Sequence, residues 1–334
     1  MKSLAIVILA AGKGTRMKSD LPKVLHPLLG RPLLGHVLET AQKLRPEKTV
    51  VVIGHQAELV RKACDRPGLT FVIQAPQLGT GHAVRQAAKE LRHFPGTILV
   101  LSGDIPLVSR ETLNGLIRAH GRSRAPVTLL STLLEEPFGY GRIVRDTEGG
   151  LLRITEEKDA TPTERRIQEV NAGIYCFAAD FLFSALPRLS RKNKQREYYL
   201  TDLIGMARRA DRPVTVFLHG RSEEVLGIND RAELARTSRL LRRQINDDWM
   251  RQGVTLQDPE TTYIEKDVRI GPDATIGPFT VLAGRTRIGR GCRIDSHCVL
   301  ENAHLEDGAV AESFTRIRKD RSKNKGDQKS CAAL

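Results

Sequence analysis

Short apolar runs at Leu4–Leu9, Thr49–Ile53, Phe71–Gln74, Ile98–Ser102 and Val127–Thr132 alternate with amphipathic stretches at Leu33–Leu44, Ala57–Cys64, His82–Leu91 and Glu111–Ala119. Runs without polar alternation read as strands buried on both faces, and the stretches between them as helices. This βαβ rhythm predicts a mostly parallel sheet with helices on both sides. Val214–Leu218 predicts one more strand. Asn229-Asp230 then precedes a charged segment, Arg231 to about Arg251, with Leu234, Leu240, Leu241 and Ile245 on one side, which predicts a helical arm joining two domains.

After Gly253 the period changes. Ile264, Ile270, Ile276, Leu282, Ile288, Ile294 and Leu300 recur every six residues, Gly follows the aliphatic at 271, 277 and 289, and the fifth place of the hexad is small (Ala274, Thr280, Thr286, Cys292, Cys298). A hexad with one inward aliphatic predicts a parallel β-helix. The register slips by one at Leu305 and continues through Ala311 and Ile317, giving about three coils. Lys319–Leu334 has no aliphatic period and reads as a disordered basic tail. The predicted organisation is therefore an α/β domain over 1–230, a linker helix over 231–252, a short β-helix over 253–318 and a tail over 319–334.

Composition narrows the function classes. The 334 residues carry a net charge of +14 and a pI near 9.8, which raises nucleic-acid binding. The basic excess is dispersed, aromatics are only 4%, and no recognition helix or aromatic platform accompanies it, so specific nucleic-acid readout is not expected and anionic substrates are the simpler partners. No apolar run approaches a membrane span, and the five cysteines (Cys64, Cys176, Cys292, Cys298, Cys331) form no C-x-x-C pair. A cytoplasmic protein without a disulfide framework is the expectation.

The chemistry centres on Leu9-Ala10-Ala11-Gly12-Lys13-Gly14-Thr15-Arg16-Met17, followed by Leu21-Pro22-Lys23. These glycines fall where a buried strand turns into the next element, the edge at which α/β proteins bind nucleotides. Gly12 and Gly14 let the backbone bend, and Lys13, Arg16 and Lys23 bring three cations to one loop, a combination suited to a polyphosphate. The G-x-x-x-x-G-K-[ST] loop is absent, and Met17 stands where a dinucleotide fingerprint needs a third Gly or Ala. A turn with solvated basic residues is the plainer alternative, and the added Pro22-Lys23 argues against it.

L-A-A-G-x-G-T-R-M followed by D-L-P-K-V-L-H resembles the sugar-1-phosphate nucleotidyltransferases, in particular the bacterial bifunctional N-acetylglucosamine-1-phosphate uridyltransferase/glucosamine-1-phosphate acetyltransferases, from about Leu4 to about Arg318. The resemblance implies a Rossmann-like nucleotidyltransferase domain and a left-handed hexapeptide β-helix. It also implies magnesium-dependent uridylyl transfer from UTP to N-acetylglucosamine 1-phosphate, a step of cell-wall and lipopolysaccharide precursor synthesis. Another hexose-1-phosphate nucleotidyltransferase and a non-catalytic nucleotide-sugar sensor are the alternatives.

By the same resemblance Arg16 and Lys23 hold phosphates as catalytic residues, and Leu9, Ala10, Ala11 and Gly12 line the nucleotide site with Ser102 and Gly103. Asp104 and Asn229 hold Mg²⁺. Read without the family, Asp104 is also an ordinary turn or cap carboxylate, and Asn229-Asp230 ordinary helix capping. Gln74, Gly79 and Thr80 match the uracil-reading loop, where an amide at Gln74 can pair with both the carbonyl and the N–H of a pyrimidine edge, while His82 reads as structural. Gly141, Glu156 and Asn171 match hexosamine-binding positions, although Glu156-Glu157 equally suits a solvated charge pair. Tyr198-Tyr199-Leu200-Thr201-Asp202 reads as pocket wall and helix start. The family's second site lies in later coils, so truncation is expected to remove acetyltransfer and to leave the family's homotrimer undecided.

Overall fold

The structure, a computed structural model, describes residues 3–319. The expected basic tail lies outside the described residues except for Lys319. The chain divides into two compact units, residues up to His26 with Pro32–Glu233, and Pro27–Arg31 with Leu234 onward.

In the first unit β1 (Leu4–Ala10) is followed, after the small strands β2 (Pro27–Leu28) and β3 (Arg31–Pro32) formed around the 27–31 segment of the second unit, by α1 (Leu33–Lys43), β4 (Lys48–Ile53), α2 (Ala57–Cys64), β5 (Leu69–Ile73), α3 (Thr80–Ala87), β6 (Thr97–Ser102), α4 (Arg110–Ser123) and β7 (Val127–Leu133). The antiparallel strands β8 (Arg142–Arg145), β9 (Leu151–Thr155) and β10 (Glu169–Ala178) come next, then α5 (Ala179–Ala185), α6 (Asp202–Arg209) and β11 (Val214–His219). The main sheet runs β11-β7-β10-β6-β1-β4-β5. It is parallel except where β10 lies antiparallel to both β6 and β7.

Alternate residues of β1 enter different cores. Ala5 and Val7 pack with α3, α5 and α6, while Ile6 and Ile8 pack with α1, α2 and α4. Burial on both faces is why this strand has no polar alternation. From β1 the chain passes through α1 to β4 on one side, and from β5 it returns through α3 to β6 on the other side of β1. The carboxyl edge between β1 and β6 is thus a switch point, where an α/β sheet leaves a crevice.

The helix expected at His82–Leu91 instead begins at Thr80 and ends at Ala87. The hairpin β8–β9 and strand β10 were not legible in the hydrophobic pattern. The β10–β7 register shifts between Asn171 and Tyr175, with Gly173 at φ 71°, so the period of two is broken there.

In the second unit α7 (Arg231–Arg251) leads from the boundary, with Leu241, Ile245 and Asn246 buried. The Asn246 side chain donates to the carbonyls of Pro259 and Thr262 at 2.8 and 3.0 Å. Residues 27–31 belong to this unit because Lys266 N–H donates to Leu29 O and Arg31 pairs with Asp267. No periodicity announced that join.

Three parallel sheets follow. The first is β12 (Thr255–Leu256), β15 (Thr275–Ile276), β18 (Arg293–Ile294) and β21 (Val310–Ala311). The second is β13 (Tyr263–Ile264), β16 (Val281–Ala283), β19 (Val299–Glu301) and β22 (Arg316–Arg318), and the third β14 (Arg269–Ile270), β17 (Arg287–Ile288) and β20 (His304–Leu305). The hexad aliphatics from Ile264 to Leu300 and the small fifth-place residues are buried. Pairing of Ile288 with Leu305, Ile294 with Ala311 and Leu300 with Ile317 places the one-residue slip within the last coil. The first strand, Thr255–Leu256, precedes the first residue of the recognised period.

Candidate active site

Two cavities open at the carboxyl edge of the first unit's sheet. The larger, about 610 Å³, is lined by residues 9–15, Lys23, Gln74, Gly79, Thr80 and Asp104 among others. The smaller, about 310 Å³, lies among Arg16, Tyr140, Gly141, Glu156, Asn171, Tyr175, Thr201 and Asn229. Leu9, Thr80, Ser102 and Asp104 line both, so the cavities adjoin at the end of β6.

The loop after β1 is held by two local devices. Gly14 has φ 62°, and a Cβ there would stand 2.5 Å from the Cβ of Lys23, so the glycine admits both the left-handed turn and the lysine stem. Met17 is buried and plugs the following turn, Thr15–Met17. Buried Val24 and Leu25 anchor the turn that begins at Lys23.

The Lys23 ammonium forms an ion pair with Asp104 Oδ2 and lies 3.3 Å from Asn229 Oδ1, which also accepts from Arg16 Nη2 at 2.7 Å. Asn229 is not the helix cap. Asp230 Oδ1 accepts from Glu233 N at 2.8 Å, and the Glu233 carboxylate accepts from Asn229 N at 2.6 Å. This near-capping-box leaves the Asn229 amide oxygen to the cations.

At the other end of the larger cavity Gln74 is buried, and its amide nitrogen donates to Gly79 O at 2.9 Å and lies 3.1 Å from His82 Nδ1. With His82 accepting through Nδ1, both hydrogens of the NH₂ group have partners within the protein. Pairing of Gln74 with both a carbonyl and an N–H of a base, expected from the sequence, is reduced to pairing through its oxygen. Gly79 has φ 99°, and a Cβ would meet Tyr198 O at 2.7 Å. Thr80 Oγ1 accepts from Leu200 N at 3.0 Å and so does not cap its own helix.

In the smaller cavity Thr201 Oγ1 donates to Glu156 Oε1 at 2.9 Å, and Asn171 Nδ2 donates to Tyr175 Oη at 2.6 Å. Loss of water around Glu156 raises its pKa above the ordinary carboxylate value. The Thr201 hydrogen bond opposes that shift, and Asp159, Asp202 and Glu197 add to it. Glu157 acts elsewhere. It pairs at 2.8 Å with Arg142, which is 2% exposed, and accepts from Gly139 N, holding the 139–142 loop. A Cβ at Gly141 would lie 3.4 Å from Glu156 Oε2. Tyr140 Oη accepts from Gly227 N, and burial pushes its pKa up to about 12.

Residues 6–202 match the MobA-like NTP transferase domain family, and residues 267–302 the bacterial transferase hexapeptide family. The chain is 49% identical over 306 residues to the bifunctional protein GlmU of Geobacter metallireducens, covering 91% of this chain and 64% of that one. It is 48% identical to GlmU of Syntrophotalea carbinolica, covering 92% and 68%. The chain belongs to the GlmU family. It thus spans about two thirds of the length of these two relatives, whereas the match to GlmU of Desulfotalea psychrophila, at 45% identity, covers 92% of that protein. A Bacillus anthracis structure described as a glucose-1-phosphate thymidylyltransferase in complex with sucrose shares the fold at 17% identity, with TM-score 0.56 over 71% of this chain and 95% of that one.

GlmU-like nucleotidyltransferases use a divalent metal. The residues fit one: a carboxylate oxygen of Asp104 and an amide oxygen of Asn229 both reach the Lys23 ammonium, so two hard oxygen donors converge. Among the described residues no group of three or more His, Cys, Asp or Glu is placed to hold a metal ion.

Of the Tyr198–Asp202 segment expected as pocket wall, Leu200 and Thr201 line a cavity and Tyr198, Tyr199 and Asp202 do not, whereas every nucleotide, sugar and metal residue named by the GlmU resemblance does so except Gly103. Its place is a matter of packing: a Cβ would meet Leu9 O at 3.1 Å and Leu34 Cδ1 at 3.3 Å, so the glycine lets β6 turn close against β1 and α1. Tyr175, Glu197 and Glu233 were missed. Glu233 had a signal, the D-x-x-E spacing from Asp230, whereas Tyr175 is hidden by the irregular register of β10.

Proposed function

We propose that the first unit transfers a uridylyl group from UTP to N-acetylglucosamine 1-phosphate, giving UDP-N-acetylglucosamine and pyrophosphate. The observation that carries this reading is the adjoining pair of cavities, with Lys23, Arg16, Asp104 and Asn229 gathered where they meet. A phosphate oxygen of the sugar phosphate bonds to the α-phosphorus, the bond from that phosphorus to the β-bridging oxygen breaks, and pyrophosphate leaves with the electron pair. The chain's part is alignment and charge compensation.

The loop Ala11–Thr15 receives the triphosphate, and Lys23 and Arg16 counter its charge. Asp104 and Asn229 would hold Mg²⁺, which when bound supplies charge neutralisation at the reacting phosphates. Gln74 faces the base. Glu156 and Asn171 take the sugar's polar groups, and the missing side chain at Gly141 leaves room for the N-acetyl group.

Among the described residues the four cysteines are free and buried, in accord with a reducing compartment, and the cytoplasm is the proposed location. Among the described residues no helix is long and apolar enough to cross a membrane. Pyrophosphate release should be measured across a matrix of nucleoside triphosphates and sugar 1-phosphates. UTP with N-acetylglucosamine 1-phosphate should be the best pair, and a preference for dTTP or for glucose 1-phosphate would replace this reading with another hexose-1-phosphate nucleotidyltransferase.

A further inference from the structure

The Gln74 amide has one face left for a ligand, and a neighbour decides which face that is. One amide hydrogen donates to Gly79 O at 2.9 Å, and the amide nitrogen lies 3.1 Å from His82 Nδ1, which accepts the other hydrogen when the ring carries its proton on Nε2. Gln74 Oε1 takes part in no hydrogen bond among the described residues, nor is it a sealed, unpartnered atom, and Gln74 lines the larger cavity. The oxygen is therefore the group open to an incoming base.

We propose that His82 is a positioning residue for base selection: by accepting through Nδ1 it holds the Gln74 amide with its oxygen toward the cavity, favouring a pyrimidine whose ring nitrogen N3 carries hydrogen. This rests on the uridylyl-transfer reading. Uracil presents N3–H, whereas cytosine presents an N3 lone pair that would face another lone pair. Thymine also carries N3–H, so this device separates UTP from CTP and not from dTTP.

The surroundings keep the ring neutral, as an accepting Nδ1 requires. Burial lowers the His82 pKa, and Arg85 and Arg191 lower it further, against the Pro76 carbonyl, which raises it. Both guanidinium groups lie over Tyr198, the ring stacked beside His82. Nε2 of His82 is 2.9 Å from the Gln86 amide, whose oxygen accepts from Nε2–H once that amide is turned by half a rotation.

Binding of UTP and CTP by calorimetry separates this idea from the catalytic one, because it needs no turnover. Wild type should prefer UTP. His82→Asn, which keeps an acceptor near the Nδ1 position, should retain the preference. His82→Gln, which places its amide near the Nε2 position, should lose about tenfold of the ratio, the scale of one hydrogen bond. An unchanged ratio in His82→Gln, or equal binding of the two nucleotides by wild type, overturns the proposal. UTP-selective binding without pyrophosphate release overturns only the catalytic reading. Should either variant fail to fold, the ¹⁵N spectrum of His82 in the wild-type protein decides: protonation at Nδ1 near neutral pH overturns the proposal, and the Nε2–H form supports it.

Discussion

Asp104 and Asn229 each direct a side-chain oxygen at the ammonium of Lys23, and Arg16 reaches the same amide oxygen. Asp104→Ala removes the one carboxylate of this group and should lower turnover at least about 10²-fold, the scale of a principal electrostatic stabiliser. Steady-state assay at saturating Mg²⁺ checks this, and near-wild-type turnover would take Asp104 out of the mechanism. Glu156 offers a test that needs no substrate. The folded protein holds its proton more tightly than the unfolded chain, so its contribution to stability is complete below the ordinary value of 4.5 and is lost as pH rises from there through the raised pKa. Glu156→Gln should therefore melt higher than wild type at pH 7 in the absence of ligand, with the difference shrinking toward pH 4. A difference that does not vary with pH would show that the carboxylate is not held up in the folded state.

At the scale of elements, the glycines of the second unit make the sharpest claim. A Cβ on Gly289 would stand 2.5 Å from Asp307 N, and one on Gly271 2.6 Å from Arg290 N, so each lies directly under the next coil's backbone. Gly289→Ala should cost about 1–3 kcal/mol, the usual range for inserting a methyl into packed structure. Urea unfolding followed in the second unit would measure it, and a loss below a few tenths would mean that the coils part freely. The hexads were readable because one inward side chain per strand must be aliphatic wherever coils stack. The first unit's parallel strands were readable for a related reason, burial on both faces. Strand β10 was not, because its Asn171–Gly173 irregularity serves the smaller cavity rather than the ladder.

For the whole molecule, all residues lining the two cavities belong to the first unit. UTP with Mg²⁺ at a hundred times its Kd should stabilise that unit by about 2.7 kcal/mol. Scanning calorimetry with and without nucleotide should show the shift, and no shift would contradict a nucleotide site there. A net charge of +14 also predicts that KM for UTP rises with ionic strength, since screening weakens attraction of the triphosphate. A KM flat from low to high salt would limit the charge to a role in solubility.

By itself the sequence determined what repeats or clusters locally: the βαβ alternation, the hexad prism, the phosphate loop, and through family resemblance a set of site residues of which all but Gly103 line a cavity. These are legible because periodic burial and short-range turn chemistry leave their mark within a few neighbouring positions. Tertiary structure alone decided how shared residues were divided. It gave the capping role to Asp230 and left the Asn229 oxygen for Arg16 and Lys23, separated Glu156 in the cavity from Glu157 under the loop, and committed the Gln74 hydrogens to Gly79 and His82. In each case the deciding partner is supplied by the way the fold arranges the surrounding loops, and whether a polar side chain is spent or free depends on that geometry rather than on its own residue type.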